Sequence, residues 1–264
     1  MLSLALYLLV GAIAGLAGGL FGIGGGLIVV PVLLFTLPLA GVEPTLVAKV
    51  AMGSSLVTVL VTSLSSAWNH HRRGGVPWRA VWRLAPAVAL GATLAGPIAH
   101  HVNGLWLERL FSLFLLFMAW RQWRGQPEDR PLSLPWWLMP AGAGVGVLAG
   151  LVGIGGGTLL VPLLQRLGLS ITRAVAGSAA CGVVLALSAG ISYLIAGWGV
   201  SGMPPWSLGY LYLPAIAGIC ASSWLLAGVG ARLAHRWPAR RLKNAFALLL
   251  LVLALMLFAG SFSH

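Results

Sequence analysis

The stretch FGIGGGLIVVP, residues 21–31, decides the fold of this chain. It lies in a segment apolar enough for one uninterrupted membrane helix, yet glycine fills nearly every position of 22–26, and Pro31 follows. Residues 152–162 repeat the pattern as VGIGGGTLLVP. Glycine permits backbone angles that other residues avoid, and proline interrupts the hydrogen-bond ladder of a helix. The repeated motif therefore predicts two breaks in membrane-embedded helices.

The composition is that of an integral membrane protein. Of the 264 residues, 59% are hydrophobic and only 8% are charged, which is far from the balance of soluble domains. Long apolar runs without alternation predict helices, because only helices and closed barrels satisfy their backbone groups in lipid. Cys181 and Cys220 both fall in apolar runs, which favours small core residues over a disulfide or a metal site.

The net charge of +12 is carried by short loops rather than by one face of a soluble domain. The loops at 100–107 and 197–206 contain no Lys or Arg. Basic residues cluster in the other loops: 69–79, 121–130, 232–243 and the turn with Arg166 and Arg173. The positive-inside rule places the basic loops in the cytoplasm, the bare loops outside and both termini in the periplasm. Lipid headgroups explain this charge, and nucleic acid is not an expected partner.

The two halves of the sequence repeat each other beyond the glycine motif. AKVAMGSSLV (48–57) is echoed by TRAVAGSAAC (172–181), and LERLFSLFLL (107–116) by LKNAFALLLL (242–251). Trp78 and Pro86 recur at the same separation as Trp206 and Pro214. Markers in one shared order predict an internal duplication. The loop before Trp78 is basic and the loop before Trp206 is bare, so the two halves are predicted to be inverted.

We therefore predict an all-α polytopic membrane protein of two inverted repeats, each a glycine-tipped broken or re-entrant hairpin followed by three transmembrane helices. This gives eight hydrophobic segments, or up to ten helices when the hairpin arms are counted separately. Residues 158–165 would reach only about 12 Å as a helix, too short to span. Two full crossings per hairpin have the same parity and stay an alternative. The predicted boundaries are 1–124 (hairpin 2–40, spans 46–68, 80–99 and 105–120), a cytoplasmic linker 125–135, and 136–264 (hairpin 136–165, spans 174–197, 205–230 and 244–262).

The glycine tips are the predicted substrate site. A turn deep in the membrane leaves backbone N–H groups unpaired, and a helix that starts after Gly26 or Gly157 points its positive dipole end at the tip. Such groups bind anions, and two tips from opposite sides would converge on one substrate. Hydroxyls on the following helix are further donors, unless they bond their own helix. The candidate contacts are Gly22, Gly24, Gly25, Gly26, Gly153, Gly155, Gly156, Gly157, Ser54, Ser55 and Ser178.

Other features have simpler explanations. The spacings Gly11/Gly15 and Gly146/Gly150 suit close helix packing. Residues near the membrane faces are candidates for access or gating, with snorkelling or anchoring side chains as the alternative. These candidates are Lys49, Arg173, Thr58, Asn69 and His70.

Several function classes lack the residues they need. A dinucleotide fingerprint fails because Leu27 and Thr158 occupy the position of its last glycine. The acidic residues all fall in or beside loops, which disfavours a carboxylate proton relay or a sodium site. Catalytic motifs are missing from the sequence, so we predict neither an enzyme nor a cofactor, and no metal site.

The doubled G-x-G-G-G-x-x-x-V-P motif, the GSSL helix (53–56) and the HHRRGGVPWR loop (70–79) resemble the sulfite exporter family of TauE/SafE-like permeases. The resemblance implies an inner-membrane permease that moves sulfite, organosulfonates or related oxyanions, usually outward. Its partners would be the small anion and membrane lipid, and a homodimer is compatible with the sequence. Ala179 stands where Ser55 stands in the first half, which argues against equal roles for the two halves. A passive anion channel and a transition-metal or other small-solute permease are the alternatives.

Overall fold

The computed structural model describes residues 2–21, 24–123 and 135–234. Almost all of this part is helical, and the chain is an all-α polytopic membrane protein, as predicted. Gly22, most of the linker 125–135 and the predicted span 244–262 lie outside the described residues. The helices are α1 (Leu2–Phe21), α2 (Gly26–Leu39), α3 (Pro44–Arg72), α4 (Trp78–Thr93), α5 (Ala95–His101), α6 (Gly104–Trp123), α7 (Leu138–Leu151), α8 (Gly157–Arg166), α9 (Ile171–Ala196) and α10 (Leu213–Ala234), with a small two-stranded hairpin of β1 (Ser207–Leu208) and β2 (Leu211–Tyr212).

Helix lengths separate spans from shorter arms. Among the described residues, the segments Pro44–Arg72, Trp78–His101, Ile171–Ala196 and Leu213–Gly230 are long and apolar enough to cross a membrane. The 14-residue helix α2 and the 10-residue helix α8 reach about 21 Å and about 15 Å, less than the roughly 30 Å hydrocarbon core. The second arm of each glycine segment is therefore too short to span by itself.

The predicted span 80–99 is two helices, α4 and α5, with a break at Leu94. Pro97 lacks an N–H, so it cannot donate to the carbonyl of Thr93 one turn earlier. Ser192 of α9 supplies the missing bonds. Its hydroxyl donates to Thr93 O at 2.6 Å and accepts from Gly96 N at 3.1 Å. The break is thus held by a side chain from the other half of the chain.

The predicted span 205–230 starts too early. Residues 207–212 form the antiparallel β1–β2 pair, and helix α10 begins only at Leu213. Trp206 has a φ of 66°, and its carbonyl accepts the N–H of Leu213 at 3.1 Å. We call residues 207–212 the lid hairpin. Hydropathy alone does not separate it from the helix that follows.

Helices α3 and α9 form the centre of the fold and pack against each other. Around them, α1 packs on α10 and α7 packs on α4, while α2 lies against α3 and α8 against α9. These contacts come in matching pairs across the two predicted halves. The α1–α10 contact corresponds to α7–α4, the α2–α3 contact corresponds to α8–α9, and the α3–α9 contact corresponds to itself. The inverted repeat itself and its boundaries stay a prediction, and this pattern of contacts is what such a repeat would produce.

Small residues let these helices approach closely, as the glycine spacings predict. A Cβ on Gly15 of α1 would lie 2.5 Å from the carbonyl oxygen of Ser223 in α10. A Cβ on Gly146 of α7 would overlap the carbonyl oxygen of Val88 in α4. In contrast, a Cβ on Gly144 would meet nothing within 4 Å. The packing role of Gly15 and Gly146 is therefore confirmed.

Candidate functional site at the glycine tips

The two glycine motifs form sharp turns that each lead into a helix. Gly24 and Gly25 have φ angles of 72° and 74°, and Gly153 has a φ of 69°, a region that side chains other than glycine rarely occupy. Helix α2 begins at Gly26 and helix α8 at Gly157. Gly156 adopts an ordinary helical angle, φ −54°. Both turns therefore lead into a helix, but their backbone angles differ.

The two tips lie against each other in the protein interior. A Cβ on Gly24 would lie 3.5 Å from Gly155 Cα, and a Cβ on Gly26 would lie 2.8 Å from the carbonyl oxygen of Gly153. The described tip residues, 24–26 and 153–157, are all buried. The structure thus brings the predicted glycines of both halves together, away from the lipid-facing surface.

The second tip presents a row of backbone donors. Within the described part of the chain, no hydrogen-bond acceptor is found for the N–H groups of residues 155–158. The first bonds of α8 are those of Leu159 and Leu160 to the Gly156 carbonyl. The Thr158 hydroxyl is also buried without a partner among the described residues, and the side chain is 4% exposed. Since buried polar groups are normally hydrogen-bonded, this tip is chemically suited to hold a polar solute.

Hydroxyl groups on α3 tie the two tips to one helix. Ser55 Oγ donates to the carbonyl of Gly153 at 2.8 Å. Two turns further, Thr62 Oγ1 bonds the carbonyl of Gly24 and also lies near carbonyls of its own helix. Both side chains are buried. Helix α3 therefore fixes the relative position of the tips, with Ser55 on the second and Thr62 on the first.

The other predicted hydroxyls have different partners. Thr58 Oγ1 donates to Ser55 O at 2.8 Å, and Ser178 Oγ to Val175 O at 3.0 Å. Both are bonds within the residue's own helix, which is the alternative that the sequence left open. Ser54 Oγ accepts the N–H of Tyr212 at 2.8 Å. Ser54 therefore contacts the lid hairpin.

A stripe of polar residues on α3 leads from the tips toward the end of the helix. It follows a spacing of four residues, one helical turn, and every member is buried: Thr58, Thr62, Ser66 and His70. The Ser66 hydroxyl has no partner among the described residues. The equivalent positions of α9 are Gly182, Ala186, Gly190 and Leu194. Thr62 and Ser66 were not among the predicted residues, although this four-residue spacing could have identified them.

Short segments cover the site from two directions. The lid hairpin places the Tyr210 carbonyl oxygen 2.6 Å from where a Cβ of Gly53 would be. At the other end, Pro77 Cγ lies 3.0 Å from where a Cβ of Gly177 would be. Gly53 and Gly177 are equivalent positions in the aligned halves of the sequence. Each half therefore seats a loop on the corresponding glycine of the other half.

Four of the five residues predicted for access or gating lie near these two ends, and Thr58 lies in the middle of α3. Lys49 Nζ donates to the carbonyl of His100 at 2.8 Å, whereas its counterpart Arg173 is exposed. Asn69 Nδ2 donates to Ser65 O at 2.8 Å. His70 is buried, and its carbonyl accepts the N–H of Gly75 in the covering loop. Lys49 and His70 are thus both close to a covering segment, at opposite ends of α3.

Metal-binding side chains do not gather in the described ranges. No group of three or more His, Cys, Asp or Glu is placed to hold an ion there. The donors around the tips are amides and hydroxyls, which are poor ligands for transition metals. The site is built to donate hydrogen bonds.

A model of the sulfite exporter TauE/SafE family matches residues 7–257 of the chain. The chain belongs to this family. The resemblance drawn from the doubled glycine motif is confirmed, and the match covers both predicted halves. The family places the chain among membrane transporters, in keeping with its apolar helices.

Several curated proteins are similar over most of their length. A "Probable membrane transporter protein" of Haemophilus influenzae is 37% identical over 256 residues, covering 96% of this chain and 97% of that protein. One of Methanocaldococcus jannaschii is 30% identical over 203 residues, 74% of each chain. The "Probable inner membrane transporter protein TsaS" of Comamonas testosteroni is 28% identical over 208 residues, 78% of this chain and 82% of that protein. No solved structure matches the chain.

Proposed function

We propose that this membrane transporter exports a small sulfur-containing oxyanion, such as sulfite or an organosulfonate. Its binding site is the junction of the two glycine tips, and access alternates between the two membrane faces. The family name supplies the substrate class. The residues supply the chemistry, because free amides and hydroxyls at a helix start are donors for an anion.

One observation carries the proposal: the two tips meet in the protein interior, and several hydrogen-bond donors of the second tip have no acceptor there. The N–H groups of residues 155–158 and the Thr158 hydroxyl have no partner among the described residues. No acidic residue occurs in either motif. An oxyanion would satisfy these donors, and the positive end of the α8 dipole would favour its charge.

The two covering segments support alternating access. In the present conformation Tyr210 lies over Gly53 and Pro77 lies over Gly177, so both routes to the tips are covered. Each segment is short and non-helical, and movement of one at a time would open the site to one face. Opening both at once would give a channel instead.

Direction follows from charge. In a bacterial inner membrane that is negative inside, moving one negative charge outward gains about 2.3 kcal/mol per 100 mV. That equals roughly a fiftyfold concentration ratio. With the basic loops in the cytoplasm, as the positive-inside rule predicts, outward transport of a monoanion needs no coupling ion.

The test is counterflow in proteoliposomes with sulfite, sulfoacetate and sulfate in parallel. We expect saturable uptake of labelled anion driven by unlabelled anion inside. A Gly156→Leu variant should lose this flux, because its side chain would fill the tip where the neighbours are the flexible ends of Leu160 and Leu185. A bulky residue at Gly25 should also block transport, although its φ of 74° makes misfolding a concern. Gly144→Leu is the matched control, since nothing lies within 4 Å of its Cβ position.

Normal flux in the folded Gly156→Leu protein would refute the tip site. A passive channel differs in a measurable way, because it would conduct without saturation and without counterflow. A transition-metal permease would instead require metal-dependent flux that sulfur anions do not inhibit.

A further inference from the structure

The lid hairpin is held in place by a chain of side-chain contacts that ends in a lysine. Tyr210, at the turn of the hairpin, is 1% exposed and is wedged between Gly53 of α3 and the end of α9. Its hydroxyl lies 2.9 Å from His100 Nδ1. The His100 carbonyl accepts a hydrogen bond from Lys49 Nζ at 2.8 Å. The lid is therefore connected to Lys49 through His100.

Lys49 is a cation without a counter-ion. Within the described ranges it forms no ion pair, and its hydrogen bond goes to a neutral carbonyl. The Glu43 carboxylate lies instead beside Gly202, with Oε2 2.9 Å from where a Cβ of Gly202 would be. The ammonium also lies 6.0 Å from the centre of the Tyr210 ring, within reach of a cation–π contact. An ammonium has three donors, so two remain for another partner.

His100 adds a donor on the same side. It is exposed, whereas Tyr210 beneath it is buried. When the Tyr210 hydroxyl donates to Nδ1, the ring proton is on Nε2, which then donates outward. Burial raises the pKa of Tyr210 above its ordinary value, so the phenol stays protonated and able to donate. Lys49 and His100 thus offer N–H donors at the surface end of the chain that holds the lid.

We propose that Lys49 and His100 form a second oxyanion site above the lid hairpin, and that a bound anion releases Tyr210 from Gly53. The inference rests on the proposed transport of oxyanions and adds a recognition step at the face that carries His100. Bound between Lys49 Nζ and His100 Nε2, the anion draws the ammonium away from the His100 carbonyl and the Tyr210 ring and turns the imidazole away from the Tyr210 hydroxyl. Both interactions that hold the lid are weakened together.

At the opposite end the basic residues His71, Arg72 and Arg73 are exposed beside the covering loop and are not part of its contact with Gly177. There the covering contact is apolar, with Pro77 Cγ and Leu164 Cδ1 near the Gly177 Cβ position at 3.0 and 3.1 Å. The repeat counterpart of Lys49, Arg173, is exposed and is not part of this contact. Because that covering contact is made by apolar atoms, we expect anion-dependent opening at the His100 face only, and the other end provides a control.

Cysteine labelling measures the opening directly. In a background with Cys181→Ala and Cys220→Ala, a Ser54→Cys reporter lies under the lid, because Ser54 is fully buried and contacts Tyr212. The purified full chain is labelled with N-ethylmaleimide in sulfate, or in gluconate at equal ionic strength. We expect sulfate to speed labelling in a saturable way. A Ser178→Cys reporter at the other end should not be accelerated.

The lysine variants decide the assignment. Lys49→Gln should raise the half-effective sulfate concentration about tenfold or more, since hydrogen bonds to charged groups are among the strongest. Lys49→Arg should preserve the response, which separates loss of charge from misfolding. Arg173→Gln should also preserve it. An unchanged sulfate response in Lys49→Gln, or no saturable response in the parent reporter, would overturn the site.

The outcome is distinguishable from failure of the proposed function. The Gly156→Leu change should stop transport and leave the sulfate response of the Ser54→Cys reporter intact. Normal counterflow together with no sulfate response would overturn the second site and leave the transport proposal standing. A Lys49-dependent response without any counterflow of sulfur anions would overturn the transport proposal and leave the second site standing.

Discussion

Replacing Thr158 by valine should make the protein more stable and a poorer transporter. Valine has nearly the same shape as threonine and lacks only the hydroxyl. In this structure the Thr158 hydroxyl is buried and has no partner among the described residues. A buried polar group left unsatisfied costs about 1–3 kcal/mol, so its removal should stabilise the empty protein by up to that amount.

The effect on transport should have the opposite sign. If the hydroxyl donates to a bound oxyanion, its loss removes a hydrogen bond to a charged group, worth about 1.5–3 kcal/mol. This corresponds to roughly a 10- to 150-fold rise in the KM for counterflow. A residue with a purely structural role would not improve stability while impairing flux.

The assay compares wild type, Thr158→Val and Thr172→Val by thermal unfolding in detergent and by sulfite counterflow in proteoliposomes. Thr172 is exposed in the first turn of α9, so the same substitution there should change neither measurement. Unaltered sulfite KM in Thr158→Val would refute the role of this hydroxyl. A large loss of stability would refute the claim that it lacks a partner in the empty protein.

Three further changes test how the site is held. Gly153→Ala should sharply lower the yield of folded protein, because the Gly153 φ is 69° and the new Cβ would lie 2.7 Å from Met52 Cα. The control Gly144→Ala should be neutral or slightly stabilising in detergent unfolding. Ser55→Ala should cost about 1–3 kcal/mol of unfolding free energy, because the Gly153 carbonyl loses its partner, and full stability would contradict that tie. Ser192→Ala should lower the unfolding temperature by leaving the α4–α5 break unbonded. It should leave sulfite KM unchanged, because the Ser192 hydroxyl bonds Thr93 and Gly96 rather than a tip residue; a change in KM alone would contradict a structural role.

The features that depend on residues close together in the sequence were predicted correctly. The helix starts at Gly26 and Gly157 lie where the glycine motifs place them, because backbone angles and the missing Cβ act within a few residues. The close packing at Gly15 and Gly146 is also local in its signal, since small residues four apart mark one face of a helix. These features needed no knowledge of the partner element.

Features that depend on contacts across the chain were missed. The lid hairpin lies in an apolar run, and it combines a positive φ at Gly209 with a seat for Tyr210 between α3 and α9. The break at Leu94 was readable in part from Pro97, but the bonds from Ser192 that stabilise it come from the other half. Thr58 was a candidate for access or gating, and its hydroxyl bonds the Ser55 carbonyl in its own helix, an alternative that the sequence left open.

The most direct test of the shared site at the glycine tips is a structure determined with selenite, the heavier analogue of sulfite, located by the anomalous signal of selenium. We expect a peak between residues 24–26 and 155–158, within hydrogen-bond reach of the Thr158 hydroxyl. Saturating selenite that leaves this junction empty, with the peak elsewhere in the protein, would contradict it.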